Sequence, residues 1–123
     1  MNWKAIKFIY ASIFTSTCNI KYLGKDKYKI VCWYKNGQKS REDEYKNEKL
    51  HGRSINWFSN GNKYFEAEYK NGRLHGKDHG WHINGQKYCE REYENGRLHG
   101  KAIYWNDVGE KLFEYKYING KQI

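Results

Sequence analysis

The sequence predicts an all-β protein in which four antiparallel β-hairpins form an elongated, twisted meander behind an N-terminal capping segment. The first observation is a repeat: the motif Leu-His-Gly ends at Gly52, Gly76 and Gly100, so the unit is 24 residues long. The second is the dipeptide Asn-Gly between short β-prone runs, a strong short-range hairpin signal. The third is composition, because 12 Gly without any Pro, with 12 Tyr, 5 Trp and 5 Phe, suits a regular β array.

The repeat divides the chain into five segments. Residues 1–28 form the cap segment, and the four repeats occupy residues 29–52, 53–76, 77–100 and 101–123. Repeats of this kind bury an apolar face of each unit against the next unit. A chain of 123 residues has the size of one domain, and its aromatic content excludes disorder despite a mean hydropathy of −1.12.

The hairpin of the second repeat, with its turn at Asn60-Gly61, indicates how the strands pair. A two-residue loop would pair Ile55 with Glu66 and place a carboxylate on the apolar face. A three-residue loop with Gly61 in the left-handed conformation pairs Ile55 with Phe65 instead. Since a one-residue slip moves every side chain to the other face, the apolar pattern favours the three-residue loop. Eight strands would then carry tryptophans and tyrosines on one face and glutamates on the other.

The fourth repeat ends differently from the others, because Gln122 and Ile123 replace Leu-His. This leaves an edge strand near residues 111–118. An unpaired edge favours pairing with another strand unless charge blunts it, and Lys111 and Lys116 supply such charge. A homodimer through the C-terminal edge strand is therefore one candidate assembly.

The run from Tyr69 to Lys77, Tyr-Lys-Asn-Gly-Arg-Leu-His-Gly-Lys, is followed by Trp81 and by Asn-Gly-Gln-Lys at residues 84–87. This pattern resembles the MORN repeat (membrane occupation and recognition nexus), and it is most similar to the bacterial and viral, antitoxin-like variant. The resemblance covers residues 29–123. It implies an array of β-hairpins that binds proteins, in some members binds lipid headgroups, and in some self-associates. It is specific for the fold and weak for the function.

Two repeated sets of polar residues are expected to be structural. The histidines of the Leu-His-Gly motifs lie two strands apart, or about 10 Å, whereas one zinc ion needs its ligands at about 2 Å. The glutamates recur in every repeat, whereas a catalytic pair is unique and its environments separate the two pKa values. We therefore predict no metal, no cofactor and no enzymatic activity. The sets are His51, His75 and His99, and Glu42, Glu44, Glu66, Glu68, Glu90, Glu92 and Glu114.

The third repeat departs from the pattern and marks the candidate site for binding another protein. His79 stands where its neighbours have isoleucine, Arg91 stands where they have alanine or tyrosine, and Cys89 falls between them. Arginine beside tryptophan and tyrosine is typical of interface anchors, so Arg91→Ala is expected to weaken partner binding by about 1–2 kcal/mol. The alternative is that Arg91 lies flat over a ring with its charge in water. The predicted partner-binding set is His79, Trp81, Cys89, Arg91, Tyr93, Trp57, Trp105 and Tyr69.

Charge supports an alternative function. The formal net charge is +9, and residues 1–28 hold five Lys and one Asp interleaved with aromatic residues. Such a segment suits an anionic membrane surface or a single-stranded nucleic acid. Nucleic acid is the less favoured partner, because the basic excess does not run along the repeats. The lysines concerned are Lys4, Lys7, Lys21, Lys25 and Lys27.

The cysteines bear on location. Cys18, Cys32 and Cys89 are odd in number and lack metal-ligand spacing, which predicts free thiols in the cytoplasm. The alternative is export, because Lys4 and Lys7 precede an apolar run at residues 8–14 that loosely resembles a signal peptide. In an exported protein a Cys18–Cys32 disulfide would be able to form.

Overall fold

The computed structural model describes residues 17–123 as one antiparallel sheet in which ten strands follow one another in sequence order. The predicted all-β meander is confirmed. Residues 17–123 contain no helix, and hence none able to cross a membrane. The strands are β1 (Cys18–Gly24), β2 (Lys27–Trp33), β3 (Lys39–Lys46), β4 (Lys49–Trp57), β5 (Lys63–Lys70), β6 (Arg73–Trp81), β7 (Lys87–Glu94), β8 (Arg97–Trp105), β9 (Lys111–Ile118) and β10 (Lys121–Gln122).

Two kinds of connection alternate along the meander. Two-residue turns such as Asn71-Gly72 have positive φ at both residues (51° and 82°), a conformation that asparagine and glycine tolerate. In the longer loop between β4 and β5, the Gly61 amide donates to the Phe58 carbonyl at 3.0 Å, and the Phe58 amide donates to the Asn62 carbonyl at 2.8 Å. With Gly61 at a φ of 93°, this is the predicted three-residue loop.

The pairing beyond this loop differs from the prediction by one residue. Ile55 pairs with Glu66 rather than with Phe65. The reason is a β-bulge, in which Tyr64 is an additional residue of β5 that has no partner in β4. The same irregularity occurs beside each of the other repeat tryptophans. The loop prediction was therefore right and the register derived from it was wrong.

The bulges separate the two aromatic sets that the sequence analysis placed together. Directly paired residues of antiparallel strands share a face. Ile55 pairs with Glu66, and Ser54 pairs with Ala67, so the carboxylate lies on the isoleucine side of the sheet. We call the two surfaces the Trp face and the Tyr face. The Trp face carries Trp57, Trp81, Trp105, Ile55, His79, Ile103 and the repeat glutamates, and the Tyr face carries Tyr69, Tyr93, Tyr117, Ala67, Asp78, Arg91 and Ala102.

The sheet extends beyond the eight predicted strands at both ends. β1 lies within residues 1–28, and the predicted boundary at residue 28 falls inside β2. The described part of the cap segment is therefore continuous with the repeat array. The short β10 is the other additional strand. Residues 1–16 lie outside the described part of the chain, and with them the predicted Lys4 and Lys7.

A disulfide bond and an apolar cluster stabilise this N-terminal end. Cys18 and Cys32 are directly paired across β1 and β2 and are joined by the disulfide. The expectation of free thiols is wrong for these two residues, because the pairing places them side by side. Cys89 is free and buried. The buried cluster beside the disulfide consists of Tyr28, Ile30, Cys32 and Tyr45.

Hydrogen bonds between equivalent turns join each repeat to the next. The Gly72 amide donates to the Leu50 carbonyl at 2.8 Å, and the Asn71 amide donates to His51 Nδ1 at 3.2 Å. His99 Nδ1 accepts from the Asn119 amide at the same distance. The predicted structural role of the motif histidines is therefore confirmed at these two positions.

The longer loops are joined in a similar way at the opposite ends of the strands. The side-chain amide of Asn36 donates to the Ser59 carbonyl at 2.8 Å, and that of Asn84 donates to the Asp107 carbonyl at 2.7 Å. Each bond spans 23 residues, so it links one loop to the next. These asparagines keep successive loops in line and thereby keep the tryptophans of neighbouring repeats in line.

We predict that the Cys18–Cys32 disulfide adds about 3 kcal/mol to the free energy of unfolding, because it closes a short loop in the unfolded chain. The Cys18→Ser/Cys32→Ser variant should lose this amount in urea denaturation. A reductant should destabilise the unsubstituted protein and leave the variant unchanged. Alkylation of the denatured, unreduced protein should modify Cys89 alone, and labelling of three cysteines would contradict the bond.

Candidate functional site

The structure separates the three residues that mark the predicted partner-binding site. His79 pairs with Glu90 on the Trp face, whereas Cys89 and Arg91 lie on the Tyr face. The register predicted from the three-residue loop would place Cys89 opposite His79, and this is wrong because the bulge beside Trp81 shifts the register by one residue. The predicted aromatic stripe is divided in the same way, with Trp57, Trp81 and Trp105 on one face and Tyr69 and Tyr93 on the other.

Arg91 is held by a buried carboxylate. Its Nε and Nη2 donate to the two oxygens of Asp78 at 3.0 and 2.8 Å, and Asp78 is 0% exposed. The guanidinium carbon also lies 5.7 Å from the centroid of the Tyr93 ring. Burial lowers the pKa of Arg91, but the hydrogen bonds and the charge of Asp78 outweigh burial and raise that pKa above its ordinary value. The ring contact considered from the sequence is present, but the expectation that the charge lies in water is wrong, because the guanidinium forms an ion pair with Asp78 that was not predicted.

A second buried carboxylate lies in the same cross-strand row. Asp43 accepts a hydrogen bond from Ser54 Oγ at 2.5 Å and forms an ion pair with Arg41. Direct pairing runs from Asp43 to Ser54, then to Ala67 and then to Asp78 along the Tyr face. Since a buried charge is costly unless it is paired, each aspartate of this row requires its arginine.

Cys89 lies beneath the surface of the Tyr face, at 1% exposure. Burial raises the pKa of its thiol, which is therefore protonated at neutral pH. Gly80 lies opposite, and a Cβ there would be 3.0 Å from Cys89 Sγ and 3.2 Å from the Tyr88 ring. A buried, protonated thiol is a packing residue and lacks the thiolate character of a reactive cysteine.

On the Trp face, three tryptophan rings each contact the ammonium group of a lysine from the preceding repeat. Lys63 Nζ lies 5.9 Å from the centroid of the Trp81 ring and 2.8 Å from a Glu66 oxygen. A cation at this distance attracts the ring by about 0.5–1 kcal/mol at an exposed site. His79 stacks against Trp81 with 5.9 Å between the ring centroids. The equivalent pairs are Lys39 with Trp57 and Lys87 with Trp105.

The repeat glutamates hold these lysines in place. Glu90 accepts hydrogen bonds from Lys87 at 3.0 Å and from Lys77 at 3.4 Å. The hydrogen bond from Lys87 lowers the pKa of Glu90 below the ordinary value of 4.5, against the opposite effect of burial. The carboxylates therefore share a face with the tryptophans as members of ion pairs, and the prediction that they oppose all the aromatic residues is wrong.

The Tyr face has few charges and many aromatic rings. Its tyrosines are half-buried, while Phe113 near the C-terminal edge is 52% exposed. Phe113 stacks on Tyr115 with centroids 5.9 Å apart, and Tyr115 meets Tyr117 edge-on at 6.5 Å. Burial raises the pKa of Tyr69 and of Tyr93, so both hydroxyls are protonated at neutral pH.

The described part of the predicted basic set lies on the first hairpin. Lys21, Lys25 and Lys27 are all exposed. Tyr22 and Leu23, which lie among them in the chain, are also exposed. The hairpin therefore combines positive charge with accessible apolar surface.

Sequence reasoning missed Asp78 and Gly80, although Asp78 left a signal. In the repeat alignment Asp78 stands where the neighbouring repeats have Ser54 and Ala102. An aspartate in a column of small residues, facing a column that contains Arg91, indicates an ion pair once the register is known. The error in register concealed it.

No protein-family model matches this chain, and no curated protein matches it. The resemblance to the MORN repeat therefore stays a prediction from the quoted residues. Among residues 17–123, no group of three or more His, Cys, Asp or Glu side chains is arranged to hold a metal ion.

We predict that Arg91→Ala lowers the free energy of unfolding by about 3–5 kcal/mol, because it leaves Asp78 buried without its partner. Loss of partner binding by this variant would therefore not distinguish an interface residue from a residue that stabilises the fold. The Asp78→Ala/Arg91→Ala variant should recover part of the loss, since it removes the buried charge as well. Urea denaturation measures both values, and a double variant less stable than Arg91→Ala would contradict this account.

Acid should weaken the ion pairs of the Trp face. Because the pKa of Glu90 is lowered in the folded protein, its contribution is present above the ordinary value of 4.5 and is lost as the pH falls through the lowered pKa. The free energy of unfolding should decrease in that window, and Glu90→Gln should make the decrease shallower. Urea denaturation at a series of pH values measures both, and equal pH slopes would exclude a contribution from Glu90.

Proposed function

We propose that this protein is a non-enzymatic protein-binding module, a MORN-like array of four hairpin repeats with an N-terminal cap, and that it binds its partner through the Tyr face. The observation that carries the proposal is the uncovered aromatic surface. Residues 17–123 form a single layer, so no second layer within them covers the tyrosines. Large uncovered apolar patches mark interaction surfaces, and Tyr and Arg are enriched among the residues that dominate binding energy.

Charge distinguishes the two faces as candidate interfaces. The centres of protein interfaces are depleted of charged residues and enriched in aromatic ones. The Trp face carries rows of lysine and glutamate, whose removal from water would be costly. On the Tyr face, the carboxylates of Asp43 and Asp78 are already buried and paired. The Tyr face therefore loses less solvation energy on binding.

The resemblance to antitoxin-like MORN arrays supports the same class of function, since such arrays bind other proteins. The Cys18–Cys32 disulfide bears on where this binding would occur. Disulfides persist in oxidising compartments and are rare in the cytoplasm. Of the two locations considered from the sequence, the disulfide favours export.

We predict that a partner captured from native lysate, after nuclease treatment and washing at high salt, depends on Tyr69 and not on Trp57. Both side chains are half-buried aromatics of the second repeat, on opposite faces. Tyr69→Ala should weaken binding by about 2 kcal/mol, or roughly 30-fold, whereas Trp57→Ala should leave the Kd within about threefold.

Isothermal titration with the captured partner measures both affinities, and urea denaturation verifies that each variant is folded. Loss of binding on Trp57→Ala alone would assign the interface to the Trp face and overturn the choice of face. If the unsubstituted chain retained no stoichiometric protein, the proposal that it is a protein-binding module would be overturned.

A second candidate function is attachment to an anionic membrane surface through the first hairpin. The observation in its favour is the exposed combination of Lys21, Lys25 and Lys27 with Tyr22 and Leu23. Sedimentation with phosphatidylserine vesicles should be lost in the Lys21→Glu/Lys25→Glu/Lys27→Glu variant and at high salt. Equal sedimentation with phosphatidylcholine vesicles would exclude an electrostatic attachment.

A further inference from the structure

A groove at the C-terminal end of the Trp face differs from the rest of that face. Its volume is about 570 Å³, within the usual range for sites that hold small ligands or short segments. Its apolar lining includes Ile103, Ile118 and Ile123, and its basic lining includes Lys101 and Lys116.

The two lysines break a charge pattern that the other three repeats keep. In each of those repeats a basic residue at one cross-strand position is paired directly with a glutamate. In the fourth repeat Lys101 is paired directly with Lys116, and like charges directly opposite each other are unfavourable. The pairs in the other repeats are Lys29 with Glu44, Arg53 with Glu68, and Lys77 with Glu92.

The carboxylates that line the groove are already engaged. Glu90 accepts from Lys77 and Lys87, and an oxygen of Glu92 accepts from the backbone amide of Lys101 at 3.3 Å. Within residues 17–123, neither Lys101 nor Lys116 has a side-chain ion pair. The groove therefore holds two ammonium groups that form no ion pair with the described residues.

Two further departures of the fourth repeat meet in the same groove. Ile118 is 50% exposed and stands where the earlier repeats have Lys46, Lys70 and Glu94. Ile123 is 70% exposed and stands where they have the motif histidines. Exposed apolar residues thus replace polar ones beside the lysine pair.

We propose that this groove binds an acidic, apolar peptide segment of the partner protein, with a carboxylate between Lys101 and Lys116 and apolar side chains against Ile103, Ile118 and Ile123. The chemistry follows from the other repeats, where a glutamate stands directly opposite the basic residue. A peptide is favoured because β10 and Ile123 cover β9 from Lys116 to Ile118, so within the described residues the outer edge of β9 next to the groove is unpaired at residues 111–115 and can accept an extended backbone. The proposal rests on the protein-binding function, but it uses the opposite face of the sheet from Tyr69.

The test uses the full chain and a fluorescent acetyl-Leu-Glu-Ile-Glu-Leu-amide peptide, with the glutamine version of this peptide as its neutral control. Lys116→Glu is the decisive variant, because it restores the lysine–glutamate pair of the other repeats and should not destabilise the fold. It should weaken binding of the acidic peptide at least tenfold. Lys70→Glu makes the same charge change at an exposed lysine that is not among the groove-lining residues and should change binding less than twofold.

The apolar part of the site has its own variant. Ile118→Lys restores the residue type of the first two repeats, and it should also weaken binding of the acidic peptide at least fivefold. Equal effects of Lys116→Glu and Lys70→Glu, or equal affinity for the glutamine peptide, would overturn the proposal. If the protein binds decanoate but not the peptide, and Lys116→Glu weakens the binding of decanoate, the proposal that the ligand is a peptide would be overturned. Tyr69→Ala should not alter peptide binding, so failure of the Tyr-face interface and failure of this groove give different results.

Discussion

The β-bulge beside each repeat tryptophan determines which side chains share a face, and the rest of the sheet depends on it. The three-residue loop alone would pair Ile55 with Phe65, and in the third repeat it would place Glu90 opposite Asp78. Two carboxylates would then face each other in a buried row, which is costly. The additional residue of the bulge places Arg91 opposite Asp78 instead and moves Glu90 to the Trp face. One extra residue per hairpin thus converts a repulsive pairing into an ion pair.

The two faces that result are stabilised by different interactions. On the Trp face, lysines lie between glutamates and tryptophan rings, and each contact is weak and partly exposed. On the Tyr face, small or paired side chains form a central row, and Ala67, Asp78 and Ala102 are each 0% exposed. Burial raises the pKa of Tyr69, and the charges of Asp43 and Asp78 in the central row add to this effect. A single-layer sheet therefore buries its central row of small side chains beside a row of long aromatic ones.

The loops could be predicted from the sequence, whereas the register of the strands could not. The Asn-Gly dipeptides predicted the turns because few other residues adopt positive φ, and the 24-residue period predicted the strands between them. The register was missed because the apolar pattern argued for keeping Glu66 away from Ile55, whereas Lys63 neutralises Glu66 on that face. The Asp78–Arg91 pair and the division of the aromatic residues followed from the same error. The Cys18–Cys32 bond was left open because the repeat pattern was recognised only from residue 29, so the pairing of β1 with β2 was not predicted.

The fourth repeat distinguishes residues that join repeats from residues that carry other chemistry. Val108 occupies the position of Asn36, Asn60 and Asn84, whose side-chain amides donate to the following loop. An asparagine there would have no following loop among the described residues to bind, and the bond that the Asn36 side chain accepts from the Gln38 amide in its own loop is replaced by one from the Glu110 amide to Asn106. At the position of Lys116 the earlier repeats have glutamates, and that of the third repeat, Glu92, accepts from the Lys101 amide of the following repeat. Lys116 cannot accept such a bond, and it also places a second positive charge directly opposite Lys101, which a carboxylate ligand in the groove would neutralise.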